Sequence, residues 1–171
     1  MSEEFRILPH DLAAEQSVLG SVFISPESLI TLADELTPDD FYKPANKIIF
    51  KTMLSLLEKG EPIDSTTMVS ALTNQGDISK IGGMNYVVEL VNSTPTSKNV
   101  EHYAKLVKEK ATLRKVIADL SESLSSAYQG DVSISDIISK TEKSMLDISN
   151  QNTGTGFRNV ADILDTHMQM V

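Results

Sequence analysis

Apolar residues recur at steps of three and four along most of the chain, a spacing typical of helices that bury one face. The first such stretch begins after Asp11, whose side chain can cap free backbone N–H groups, and it carries Leu12, Val18 and Leu19. Later helix boundaries are predicted at capping residues, prolines and glycines: Ser25-Pro26, Thr37-Pro38, Pro44, Gly60, Asp64 and Gly76. No segment has the period-two alternation of a strand. The pattern predicts an all-α fold with a compact helical head, of about five or six helices, over residues 1–98.

From Asn99 to Tyr128 the chain contains no glycine or proline, which favours one long helix. Its apolar stripe consists of Tyr103, Leu106, Leu113, Ile117, Leu120, Leu124 and Ala127. A second helix follows Gly130, with the stripe Ile134, Ile138, Met145 and Ile148. We expect residues 99–150 to form an antiparallel αα-hairpin in which the two stripes pack on each other. Apolar residues off these stripes predict an interface with another chain: Val100, Val107, Val116, Ile137 and Leu146.

The segment after the hairpin changes to a polar, glycine-containing composition. Residues 151–158 include Gly154 and Gly156 without an apolar anchor, so they are predicted to be a flexible linker. Residues 159–171 have helical spacing again, yet no core of their own to bury against. Their apolar side chains are predicted to be a docking face: Val160, Ile163, Leu164 and Met168.

Composition narrows the functional classes. The chain has 15 Lys and Arg against 24 Asp and Glu, for a net charge of −9, which argues against a DNA-binding track because phosphates are held by cations. It has no cysteine, which excludes a disulfide scaffold, a thiolate zinc site and a cysteine nucleophile. No apolar run approaches the ~18 residues of a membrane helix, and residues 1–10 lack the apolar stretch of a signal peptide. We therefore expect a cytoplasmic protein that does not cross a membrane.

Motifs that carry chemistry are missing from the sequence. There is no Gly-Lys pair, so the phosphate-binding pattern G-x-x-x-x-G-K-[ST] does not occur. His10, His102 and His167 lie far apart without metal-ligand spacing, and they are interpreted as surface or interface residues. We expect no catalytic residue, cofactor site or metal site in this chain.

A cluster of cations leaves two interpretations open. Five of the 15 cations lie within eleven residues: Lys105, Lys108, Lys110, Arg114 and Lys115. They form either a patch for DNA or an acidic partner, or a solvated helix face on which Glu101 and Lys105 pair one turn apart. Because only Tyr103 interleaves with them, the solvated face is favoured.

Several short motifs, taken in order, resemble the N-terminal domain of DnaB-family replicative DNA helicases. AEQSVLG at 14–20 resembles the family's A-E-Q-x-V-L-G signature, and DFY at 40–42 with Ala45, Ile49 and Phe50 resembles the next motif. GEPID at 60–64 and IGG at 81–83 continue the series, with the matches covering about residues 9–117. Two positions depart from the family: Asn46 replaces a usual histidine, and Ala13 replaces a glutamate found in many members.

The resemblance implies a parent protein rather than an active enzyme in this chain. Members of the family are hexameric rings that move 5′ to 3′ on single-stranded DNA. They use ATP and Mg²⁺, which would be bound by a motor domain that this chain is not expected to include. The N-terminal domain is then expected to assemble a collar that binds primase and sometimes a helicase loader. The linker helix at 159–171 would dock on a neighbouring motor domain. An alternative is a stand-alone, all-helical replication adaptor or regulator, and a weaker one is a small DNA-binding module that uses the cations of 105–115.

Overall fold

The computed structural model describes residues 6–152, which form seven α-helices, one 3-10 helix and the turns between them. The helices are α1 (Leu12–Ile24), α2 (Ser28–Glu35), the 3-10 helix (Pro38–Asp40), α3 (Pro44–Glu58), α4 (Ser65–Gln75), α5 (Met84–Ser93), α6 (Val100–Gln129) and α7 (Ile134–Asn152). No strand occurs between residues 6 and 152, and the predicted all-α class is confirmed. The chain divides into a head, which ends at Ala111, and a hairpin unit, which begins at Thr112.

Most helix starts lie where capping chemistry predicts them. The Asp11 carboxylate accepts a hydrogen bond from the Ala14 N–H at 2.9 Å at the start of α1. Asp64 accepts from the Thr67 N–H at 2.8 Å, and the Thr67 hydroxyl accepts from the Asp64 N–H, which makes a reciprocal cap for α4. Pro44 is the first residue of α3, where its missing N–H costs nothing.

The start of α2 differs from the prediction. The Ser25-Pro26 pair favoured a helix start at that point, but α2 begins at Ser28. The backbone N–H of Ser28 and its hydroxyl both donate to the Ser25 carbonyl, so Ser25, Pro26 and Glu27 form a turn ahead of the helix.

The head is built around α1, which is buried along most of its length and packs against α2, α3 and α5. Val18, Leu19 and Val22 are fully buried there. Phe41 and Phe50 lie with their ring centroids 5.0 Å apart in the same core. This single apolar cluster fixes the relative positions of the first five helices.

The compact head extends further along the chain than the predicted limit at residue 98. Ala104, Val107 and Ala111, on the first four turns of α6, are buried. Ala104 and Val107 belong to the head's core. The packing therefore changes near residue 112 rather than where the glycine- and proline-free segment begins. The long helix passes through that point without interruption, which is why its sequence gives no sign of the change.

Candidate functional site

The most conspicuous surface of the hairpin unit is an apolar stripe on α6. Leu113, Ile117, Leu120 and Leu124 are 41%, 40%, 46% and 51% exposed. Their spacing of four, three and four residues places them along one side of the helix. We call these four residues the α6 stripe. We expected it to be covered by α7, and that expectation is wrong: the stripe faces solvent in this chain.

The side of α6 that contacts α7 is largely polar. The hydroxyls of Ser123 and Thr141 lie 2.6 Å apart across the two helices, and Lys140 donates to the carboxylate of Glu122. Each contact joins residues 18 positions apart across the short turn between Gln129 and Ile134, as in the predicted antiparallel hairpin. Between residues 112 and 151 no side chain is buried. Because one hydroxyl pair and one ion pair take the place of interdigitated apolar residues, the hairpin unit has little core of its own.

Two of the five residues predicted to form the hairpin interface lie in the head instead. Val107 is 2% exposed in the head's core, and Val100 packs against that core, since the first turns of α6 belong to the head. Ile137 is partly buried and lines a cleft of about 110 Å³ with residues of α6 and α7. Val116 is partly buried, while Leu146 remains 60% exposed. Exposed apolar surface therefore exists on both helices, in the α6 stripe and at Ile134, Ile138 and Leu146 of α7.

The predicted basic patch is not a continuous free surface. Lys108 donates to the buried carboxylate of Asp40 at 3.1 Å, and Asp40 also accepts the Thr37 N–H at 2.8 Å. Lys105 and Lys115 are exposed, whereas Lys110 and Arg114 are partly buried. One of the five cations thus ties α6 to the 3-10 helix, which favours a structural role for this position over phosphate binding.

A buried carboxylate organises the end of the head where α1 and α3 begin. Glu15 is 1% exposed, and its oxygens accept hydrogen bonds from the Tyr42 N–H at 2.8 Å, the Lys43 N–H at 3.3 Å and the Asn46 side-chain amide at 2.9 Å. The Tyr86 hydroxyl donates to the Asn46 side-chain oxygen at 2.5 Å. The network joins α1, α3 and α5. The sequence motif contained Glu15, but the partners lie up to 40 residues away from each other along the chain, so spacing did not reveal the contact.

Aromatic contacts surround this network. The His10 ring stacks on Tyr42 with centroids 4.2 Å apart, and its Nδ1 lies 2.7 Å from the Leu8 carbonyl oxygen. The Lys43 ammonium lies 4.0 Å from the centre of the Tyr86 ring. His10 therefore serves as a packing residue, whereas His102 is exposed on α6 beside Tyr103.

Several predicted features lie outside the described residues: His167, most of the linker at 151–158, and the docking face of Val160, Ile163, Leu164 and Met168. Gln151 and Asn152, placed in the linker by their polar composition, are the last residues of α7. Among residues 6–152, no group of three His, Asp or Glu side chains is arranged to hold a metal ion. In the same range, every helix is too short or too polar to cross a membrane.

Sequence comparison places these features in a known family. The sequence model of the DnaB-like helicase N terminal domain matches residues 7–109. The replicative DNA helicase DnaC of Bacillus subtilis (strain 168) is 35% identical over 159 residues, which are 93% of this chain and 35% of the relative. The replicative DNA helicase DnaB of Geobacillus stearothermophilus is 36% identical over 166 residues, 96% of this chain and 37% of the relative. The chain thus spans about a third of the length of these relatives.

Solved structures agree with the sequence match. The N-terminal domain of DnaB helicase from Mycobacterium tuberculosis superimposes with a TM-score of 0.78 at 33% identity, covering 82% of this chain and 99% of that domain. A DnaB-like replicative helicase, solved in a study of its interactions with primase, gives a TM-score of 0.67 at 23% identity over 88% of this chain and 35% of that protein. At that identity the second structure supports the fold alone.

Proposed function

Because the chain belongs to the family of DnaB-like helicase N-terminal domains, we propose that it is the assembly and partner-binding domain of a hexameric, ATP-dependent 5′–3′ replicative DNA helicase of the cytoplasm. The main observation that supports the proposal is the exposed α6 stripe on a helical domain of this family. ATP, Mg²⁺ and single-stranded DNA would be bound by a motor domain within the part of the relatives that these residues do not span. The chain itself would supply contacts between protein chains.

The α6 stripe is suited to pairing with the stripe of a second copy. Leucine and isoleucine at steps of four and three interdigitate well when two helices pack side by side. Covering the exposed half of four such side chains on each of two copies is worth roughly 6–12 kcal/mol. Association itself costs about 4–15 kcal/mol, so the balance is close to zero. We therefore expect weak self-association of this chain, strengthened in the parent ring by its other domains.

Sedimentation equilibrium with a matched pair of variants tests this surface. Leu120→Asp places a charge within the α6 stripe, and Ser121→Asp adds the same charge at a neighbouring exposed position. Leu120→Asp should shift the chain towards monomer by about tenfold in dissociation constant or more, while Ser121→Asp should leave it nearly unchanged. Equal effects of the two variants would show that net charge, not the stripe, governs association.

Primase and a helicase loader are the proposed partners. The supporting observations are the family membership and the likeness to a helicase that was solved in a study of its interactions with primase. The acidic composition, with a net charge of −9, suits protein partners better than DNA phosphates. Co-sedimentation with single-stranded DNA should therefore be weak at physiological salt, and strong binding that is lost in Lys105→Glu/Lys115→Glu would favour the DNA-binding alternative.

A stand-alone adaptor is the second candidate function. The two candidates differ in what the gene encodes beyond Val171. A phosphate-binding G-x-x-x-x-G-K-[ST] motif in the following codons supports the helicase, whereas a stop codon directly after Val171 supports the adaptor.

A further inference from the structure

The head carries an apolar groove that the hairpin surface does not explain. It lies between α4 and α5, has a volume of about 220 Å³, and is lined by Ser65, Thr66, Val69, Met84, Val87 and Val88. Met84 and Val88 are 58% and 45% exposed. Pockets for small ligands usually have volumes of ~300–1,000 Å³, so this groove suits one or two apolar side chains of a protein segment better than a separate small molecule. Methionine at its edge allows the lining to adapt to such side chains.

An acidic residue is adjacent in sequence to the groove lining on each of the two helices. Asp64 is the N-cap of α4, directly before Ser65, and Glu89 follows Val88 on α5; both are exposed. Of the cations in this part of the head, Lys80 forms an ion pair with Asp77 at 2.9 Å. An occupant that combines apolar side chains with a nearby cation would therefore be favoured by charge as well as by burial.

The N-terminal arm of the same head has these properties. We define the arm as residues 6–9, which precede α1 and belong to no helix or strand. Arg6 is exposed, and the side chains of Ile7 and Leu8 are 77% and 43% exposed. The base of the arm is fixed, because His10 stacks on Tyr42 and its Nδ1 lies 2.7 Å from the Leu8 carbonyl oxygen. A segment held in this way loses little conformational freedom on binding.

Because Ile7 and Leu8 remain exposed although the groove of the same chain is open, we infer that the arm of one copy docks in the α4–α5 groove of a second copy. Ile7 and Leu8 would fill the groove, and Arg6 would lie near Asp64 and Glu89. The contact joins two different surfaces, so each copy offers one arm and one groove. Such head-to-tail contacts propagate from copy to copy and close into a ring when the rotation allows it. The inference does not depend on the α6 stripe.

Engineered disulfides provide the test, because the full chain contains no cysteine. Ile7→Cys and Val88→Cys are made as single variants in the Leu120→Asp background, which removes pairing through the α6 stripe. The two are mixed under mild oxidation and analysed on a non-reducing gel. The matched control mixes Ile30→Cys with Val88→Cys, because Ile30 is also an exposed apolar residue of the head, at 61% exposure. Disulfides require Cα atoms within ~7 Å, so only docked pairs react efficiently.

The inference predicts that the Ile7→Cys and Val88→Cys mixture forms a covalent dimer about tenfold faster than the control mixture. A chain carrying both cysteines should form a ladder of trimers and larger species, as expected for a head-to-tail contact. Arg6→Glu should slow the cross-linking, and Glu89→Arg in the partner should restore it. Cross-linking no faster than the control overturns the inference. A double-cysteine chain that closes only on itself also overturns it, because the arm would then occupy its own groove.

Discussion

Gly20 offers a direct test of the head's packing, because two physical effects predict opposite signs for Gly20→Ala. Gly20 lies inside α1, where alanine is the better helix former by ~0.5–1 kcal/mol. A Cβ atom at this position, however, would lie 1.9 Å from the Thr94 hydroxyl oxygen, 2.7 Å from the Thr94 Cβ and 2.8 Å from the Leu90 carbonyl oxygen. The hydroxyl can rotate away, but the carbonyl belongs to the backbone of α5 and cannot. Alanine would therefore force α1 and α5 apart.

The steric cost should exceed the gain in helix propensity. Overpacking a buried contact costs about 1–3 kcal/mol, and α1 and α5 form the most extensive helix pair of the head. After subtraction of the propensity gain, Gly20→Ala should lower the free energy of unfolding by roughly 0.5–2 kcal/mol. For a chain of this size, each kcal/mol corresponds to a fall of ~2–4 °C in Tm.

Urea unfolding followed by circular dichroism measures this change, and Thr94 provides the control. Its hydroxyl is buried and has no hydrogen-bond partner among residues 6–152, so Thr94→Ala should be nearly neutral or slightly stabilising. The double variant Gly20→Ala/Thr94→Ala should recover part of the loss, because the tightest contact is removed while the Leu90 carbonyl remains. A Gly20→Ala chain more stable than the parent would refute the close approach of α1 and α5.

Three further outcomes follow from the same structure. Glu15→Ala leaves the buried Asn46 amide without its acceptor, at ~1–3 kcal/mol, and removes the acceptor of the part-buried Tyr42 and Lys43 N–H groups. It should therefore destabilise the chain in urea unfolding, whereas the exposed control Glu109→Ala should not; similar midpoints for both would contradict the network. Purified residues 1–171 should neither hydrolyse ATP nor unwind DNA, and DNA-stimulated phosphate release would disprove this. In the full-length parent, Ile163→Asp/Leu164→Asp should impair hexamer formation and unwinding without changing the stability of residues 1–171; normal rings would rule out the docking face.

Local signals in the sequence were sufficient for most helix boundaries. Capping by Asp11 and Asp64 and the proline start of α3 depend on residues within one turn of each other, so spacing alone predicts them. The all-α class follows from the apolar periodicity. The start of α2 was misplaced because Ser25-Pro26 fits a turn ahead of a helix as well as the helix start itself.

Which face of a helix is covered depends on distant partners, and the sequence did not determine it. Leu113 and Leu120 have the spacing of residues buried by α7, yet the contact with α7 is made by Ser123 on the neighbouring side of α6. Val107 looked like surplus surface because it lies off that stripe, but the head buries it. The Glu15 network was missed for the same reason. Its hydrogen-bond donors come from the start of α3 and reach Glu15 only after the chain has folded.

Titration of the chain with the primase encoded by the same genome tests the partner-binding role most directly. Isothermal titration calorimetry with residues 1–171 should give saturable binding, and the two proteins should then co-elute in size-exclusion chromatography. ATP should not alter the affinity, because the chain has no phosphate-binding loop. The absence of both binding heat and co-elution at high protein concentration would contradict the proposal that this domain recruits primase.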